Sequence, residues 1–408
     1  MSMITGSIKS LLQVKFKARH DNYTDQFNRI FMVKMAMVAS MLLGLNWFKD
    51  TITCIVPGKS EISKDYVHQA CWIQGFYVYK DLPIRHHSLE YYGIPRNLKL
   101  DGMYDDGNLC DTLSSSDACK PMEKTFYLQY QWFPFYIAAI GFLYYLPYIF
   151  FRFVNTDLIS LKTSIQAVDP DIDGLVKNYF NYQINPPTRM RIRLFANLVV
   201  KLCYLIVNVL AFVFTDNLIN GDFKNYGNEW VKWSKKTNEG AYDYTTSRQA
   251  MKPGEMMLPN FGLCEVLELA RDIKTKLRNK HLFVCEISQN VLYQYVLILL
   301  WFLFIFGMVI SAIGFIMQVV DHVITITCFL SQGSQAKKVY QALTLRECEY
   351  LEFIRKKNMS VYGKLIKRLK EERLDRYGEG YDHGNGYPPK HSHPYDQSNR
   401  LLEEVAAL

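Results

Sequence analysis

The chain has 408 residues, a formal net charge of +8 and an aromatic share of 14%. The positive excess belongs to segments that flank long apolar stretches, where anionic lipid lies, and so gives no argument for nucleic acid. No P-loop or nucleophile elbow is present, and the single histidine doublet, His86 and His87 with Glu90, lacks the repeated histidine boxes of an intramembrane oxidase. No enzyme and no cofactor are expected.

In chain order, residues 1–29 form an N-terminal segment in which Ile4, Ile8, Leu11 and Leu12 fall at helical spacing beside Ser2, Ser7, Lys9 and Ser10. Four apolar stretches follow, at 30–48, 131–153, 194–214 and 291–320, each long enough to cross a hydrocarbon core of about 30 Å. Between them lie a first long loop at 49–130, a middle loop at 154–193 and a second long loop at 215–290. Lys34 and Lys201 sit inside two of the spans and are expected to snorkel to the headgroups. Pro134 and Pro147 each remove a backbone donor from the second span and predict kinks there. The region 321–376 has a helical pattern, with Val361, Leu365 and Leu369 recurring beside Lys364, Lys367, Arg368 and Lys370. Such a basic amphipathic helix packs on neighbouring helices or binds calmodulin or anionic lipid. Residues 377–408 are too polar and too rich in Gly and Pro to bury a core, and read as disordered.

Orientation follows from the flanks. Lys9, Lys15, Lys17, Arg19 and Arg29 precede the first span and Arg189, Arg191 and Arg193 stand against the third, whereas the first long loop carries nine basic residues against eleven acidic. The positive-inside rule then places both termini and the middle loop in the cytosol and the two long loops outside, with the first span an uncleaved signal anchor.

Six of the nine cysteines fall in the outer loops: Cys54, Cys71, Cys110 and Cys119 in the first, Cys264 and Cys285 in the second. An even number on an oxidising side is what complete disulfide pairing requires. Cys110 and Cys119 enclose a short polar segment and read as a local bridge. Cys203, Cys328 and Cys348 are expected to be free thiols. Zinc is the competing use of cysteine, but no CxxC spacing exists and no metal is expected. The two N-x-S/T sequons, at Asn22 and Asn358, both fall on the cytosolic side of this topology, so the outer face is expected to carry no glycan.

Tyr130, Gln131, Trp132, Phe133, Pro134 and Phe135 open the second span as YQWFPF. This resembles the YYQWV motif that opens the second transmembrane helix of innexins, the invertebrate gap-junction proteins, with Gln129 where the family has its first Tyr. ITCIVPG from Ile52 and CWIQGFYV from Cys71 are similar to the stretches that carry the first-loop cysteines of that family. NFGLCEV, HLFVCEISQN and the aromatic YVLILLWFLFIF reproduce the layout of its second loop and last helix. The first outer loop is longer than is typical, and Cys110 and Cys119 belong to the extra length.

The resemblance implies an all-α membrane protein with four transmembrane helices, two disulfide-stapled outer loops, a helical cytosolic region and a ring-shaped homo-oligomer of eight subunits. It implies bridges joining Cys54 with Cys285 and Cys71 with Cys264. It also implies that Ser2, Met3, Ile4, Ser7, Ile8 and Leu11 fold into the mouth of a pore, and that two rings dock head to head between cells. A pannexin-like channel that never docks and a four-pass scaffold without a pore are the alternatives.

Overall fold

The computed structural model describes residues 21–47, 52–57, 62–80, 82, 90–91, 93–95, 97–113, 118–167, 169–181, 183–236, 252–269, 278–331, 339–340 and 343–378. Four helices dominate. The first, α1, starts at Tyr23–Gln26, widens into a π-helical turn at Phe27–Met32 and continues as Val33–Trp47, so it begins ahead of the apolar stretch. The others are α3 (Gln129–Val154), α6 (Pro187–Leu218) and α9 (Gln289–Ser331). All four are long and apolar enough to cross a membrane. With 43 residues, α9 extends about 65 Å, roughly twice a hydrocarbon core, so a large part of it serves something other than spanning.

The chain forms two compact units, and each takes a segment of all four long helices. The first contains Met32–Phe142 and Leu210–Phe306. It is not all-α, and here the structure corrects the expected fold class. Strands β1 (Thr53–Cys54), β2 (Phe76–Tyr79), β8 (Lys124–Tyr127), β9 (Phe261–Leu269) and β10 (Arg278–Glu286) form one antiparallel sheet in the order β1-β10-β9-β2-β8. Two smaller sheets pair β3 (Glu90–Tyr91) with β4 (Ile94–Pro95), and β6 (Leu109–Cys110) and β7 (Lys120–Pro121) with β5 (Gly102–Met103). Tyr77, Tyr79, Leu82, Ile94, Met122 and Leu263 form the core of this region. Short helices α2 (Lys64–Gln74), α7 (Phe223–Ser234) and α8 (Pro253–Met257) complete it.

Among the described residues, the second unit contains those within 21–31, 143–209 and 307–378. Helices α4 (Thr156–Ile165), α5 (Ile172–Tyr179), α10 (Leu345–Lys357) and α11 (Met359–Gly378) pack around one apolar core. Thr344 and Glu347 start α10 with a capping box, in which the Thr344 amide donates to Glu347 Oε2 at 2.7 Å. Val361, Leu365 and Leu369 of α11 are buried in that core, so the apolar stripe that calmodulin would need is already covered. The N-terminal residues 1–20 and the tail beyond Gly378 lie outside the described residues.

Candidate functional site

Three disulfides organise the first unit. Cys54 is bridged to Cys285, Cys71 to Cys264 and Cys110 to Cys119. Cys54 and Cys285 are direct partners in the β1/β10 ladder, so this bridge fastens the edge strand to the hairpin β9/β10. The second ties the end of α2 to β9 one strand further in. The Sγ atoms of Cys54, Cys71 and Cys285 lie within 4.8 Å of one another and are buried. As disulfide sulfurs they carry no thiolate to offer a metal. Gly262 of β9 passes directly over the Phe76 ring, in a space that a Cβ would occupy, and this lets β9 lie close over the aromatic side of β2.

The YQWFPF segment secures the same region. The Tyr130 hydroxyl donates to the Trp72 carbonyl at 2.7 Å, and Gln131 Nε2 donates to it at 2.6 Å and to the Ile73 carbonyl at 3.2 Å. These are last-turn carbonyls of α2, which have no partner within their own helix. The Trp72 and Tyr130 rings meet with centroids 4.6 Å apart. Tyr130 and Gln131 therefore cap the helix that delivers Cys71 to its bridge. Trp132 packs edge-on to Tyr136. Pro134 cannot donate to the carbonyl four residues back, that of Tyr130, and the Tyr293 hydroxyl donates to it instead at 3.2 Å. The helix continues unbroken through both Pro134 and Pro147. Tyr293→Phe leaves that buried carbonyl unpaired and is expected to cost about 1–3 kcal/mol. A thermal unfolding midpoint in detergent equal to that of the unaltered protein would contradict this role for Tyr293.

A buried polar hub holds the second unit together. Arg346 of α10 donates to Asp157 Oδ1 at 3.0 Å, to Asn155 Oδ1 at 2.8 Å and to Glu349 Oε2 at 2.6 Å, with 1% of its side chain exposed. Asp157 also receives the Tyr350 hydroxyl and Arg193 Nη1, the latter at 3.2 Å. Burial works against the charge on Asp157, but the Arg346 guanidinium and the Tyr350 hydrogen bond outweigh it and hold the carboxyl below its ordinary 3.8. The Glu349 carboxylate in turn faces His322 Nε2 of α9 at 3.3 Å.

A family model described as innexin matches residues 21–372. The chain belongs to the innexin family. It is also similar to "Innexin inx3" of Drosophila melanogaster, 22% identical over 206 residues, which is 48% of this chain and 48% of that protein. The match thus spans about half the length of that curated relative. The innexin family is a channel family. With four helices able to cross a membrane, this innexin is a multi-pass protein of the plasma membrane at cell junctions.

The structure brings together Cys54, Cys71, Cys264 and Cys285 with Tyr130 and Gln131, and sets the Cys110–Cys119 bridge apart on the small sheet of β5, β6 and β7. Ser2, Met3, Ile4, Ser7, Ile8 and Leu11 lie outside the described residues, as does the histidine doublet. Cys203 and Cys348 form no disulfide among the described residues, while the side chain of Cys328 is outside the described set. Lys201 does not snorkel. Its ammonium is buried against Asp25 in α1, because a carboxylate inside the fold satisfies it better than distant headgroups. Local sequence offers little sign of the roles of Asp25, Asp157 and Arg346 in this innexin, since their partners are far along the chain. A charged residue on an otherwise apolar stretch was the one available signal.

Proposed function

We propose that this innexin is the subunit of a large-pore channel, eight copies in a ring, with both termini in the cytosol and the cysteine-rich loops outside. A single four-helix subunit fills its interior with its own side chains, so a wide pore requires a ring. The exposed apolar faces fit that arrangement. Phe135, Phe142 and Phe153 on α3 and Leu299, Phe306 and Ile313 on α9 are exposed in the isolated chain, more apolar surface than a lone soluble protein carries. Lipid and neighbouring copies are the partners such faces take. The N-terminal residues Ser2 to Leu11 line the pore mouth in this reading.

The observation that carries docking is the sheet built from both long loops and fastened by two bridges. A preorganised face loses little entropy when it meets a second ring, and no sequon falls on it. Ions and small metabolites then pass from cell to cell. On the cytosolic side the exposed Lys364 and Lys367 suit anionic lipid, whereas calmodulin would have to extract α11 from its core.

One feature favours the non-docking alternative. The extra module of β5, β6 and β7 carries Leu113, 94% exposed, within the Cys110–Cys119 loop, and a projection there holds an opposing ring away. Paired cells expressing the chain are expected to show electrical coupling and dye transfer. Dye uptake into single cells without coupling would leave the lone channel standing, and neither would leave the scaffold.

A further inference from the structure

The beginning of α1 is held by charge. Asp25 is ion-paired with Lys201 of α6, with 4% and 5% of the two side chains exposed. Asp21, four residues earlier, takes Arg29 at 2.5 Å from Nη2 and 3.1 Å from Nε, and the Arg29 guanidinium lies 4.0 Å from the Tyr148 ring centroid. Next to these, Asn208 Nδ2 donates to Asn28 Oδ1 at 2.9 Å and to Ser311 Oγ at 3.0 Å, and the Tyr144 hydroxyl donates to Asn208 Oδ1 at 2.8 Å. On α9, Gly307 and Gly314 leave the space that Asn208 and Thr24 occupy.

Stability alone does not account for this cluster, because buried ion pairs are commonly matched or bettered by apolar residues of equal volume. Its spacing suggests what it does. Asp21, Asp25 and Arg29 recur every four residues, and Asp21 Oδ1 is buried with no hydrogen-bond partner among the described residues. Asp21 stands just ahead of the helix, which starts at Tyr23; if α1 winds one further turn at its start and advances by that turn past α6, Lys201 passes from Asp25 to Asp21 and Arg29 passes from Asp21 to Asp25, its neighbour at i−4. Every charge is paired before and after. The π-helical turn Phe27–Met32 lies at this point, and such widened turns recur where helices adjust in register. An apolar seam would slide continuously, whereas exchanged pairs give two discrete positions.

Building on the channel reading, we infer that Lys201 is a two-position ratchet: it pairs with Asp25 in one gating state and with Asp21 in the other, setting the register of the first helix.

Single-channel recording of the full-length protein tests this. Asp25→Asn removes one resting place and Asp21→Asn the other, so the two are expected to shift open probability in opposite directions, each by about tenfold or more, with unitary conductance unchanged. Lys201→Met abolishes the difference between them. A merely structural role would weaken assembly in all three and give no opposite sign. Shifts of the same sign, or none, overturn the ratchet. Should an asparagine variant fail to reach the membrane, Asp25→Glu and Asp21→Glu keep the charge and must still differ in sign. Unaltered protein at the surface that passes no current overturns the channel reading and the ratchet with it, an outcome distinct from currents that ignore Asp21 and Asp25.

Discussion

Serine in place of Cys54, Cys285, Cys71 or Cys264 is expected to abolish channel currents and strongly reduce the protein at the cell surface. The Cys54–Cys285 bridge closes 231 residues and Cys71–Cys264 closes 193. In the chain-entropy account each restricts the unfolded chain by about 5 kcal/mol, a large share of the stability of an ordinary domain. Loss of the first also frees the two-residue edge strand β1, which has little else to hold it to β10. The Cys110–Cys119 bridge closes a short loop on its own three-stranded sheet, for which the same account gives about 3 kcal/mol. Replacing both of its cysteines is therefore expected to leave the five-stranded sheet and the currents intact. Surface biotinylation with whole-cell recording separates the cases, and normal currents from the Cys54→Ser protein would contradict the role given to the long bridges.

The second large effect is expected at the polar hub. Arg346→Met leaves the buried Asp157 with the Tyr350 hydroxyl and, as its remaining cation, the partly exposed Arg193, and removing one member of a buried ion pair costs about 3–5 kcal/mol. The loss is expected to appear as a lowered unfolding temperature of the second unit in detergent, with the disulfide-linked unit unaffected. The pH dependence has a definite sign. The Asp157 carboxyl is held below 3.8, so its contribution is fully present above that pH and is lost as the pH falls through its lower, folded value. Between pH 5 and 8 the unaltered hub is therefore expected to be insensitive to acid through Asp157. An Arg346→Met protein that melts with the unaltered one would show that the hub holds nothing.

Hydropathy and charge flanks made the four long helices legible, because a spanning segment must be apolar along its whole length. The start of α1 was not. Tyr23–Gln26 is polar and reads as a flank, and its helix is held by Lys201, a residue 176 positions away from Asp25. The outer sheet was missed for a different reason. Strands β9 and β10 carry the motifs NFGLCEV and HLFVCE, which mix cysteine and glutamate with apolar residues in short runs whose pattern does not by itself separate a strand from a cross-linked loop. Tyr130 and Gln131 were visible as a motif, but not their task. Capping α2 joins residues 58 and 59 positions apart, and no local pattern records that. The capping box of Thr344 and Glu347, by contrast, is local and is written in the sequence at its natural spacing.

The long bridges also impose a timetable on biosynthesis. Cys54 and Cys71 emerge together, whereas Cys285 follows Cys54 by 231 residues, roughly 10–50 s of translation. Through that interval the two early thiols are each other's nearest partners, and in the finished fold their sulfurs still lie within 4.8 Å. A wrong bridge between them is the readiest error open to the nascent chain, and correcting it needs a thiolate to attack and a reshuffling enzyme to supply one. Yield of this innexin in a heterologous host is thus expected to rise with the isomerase capacity of the secretory compartment.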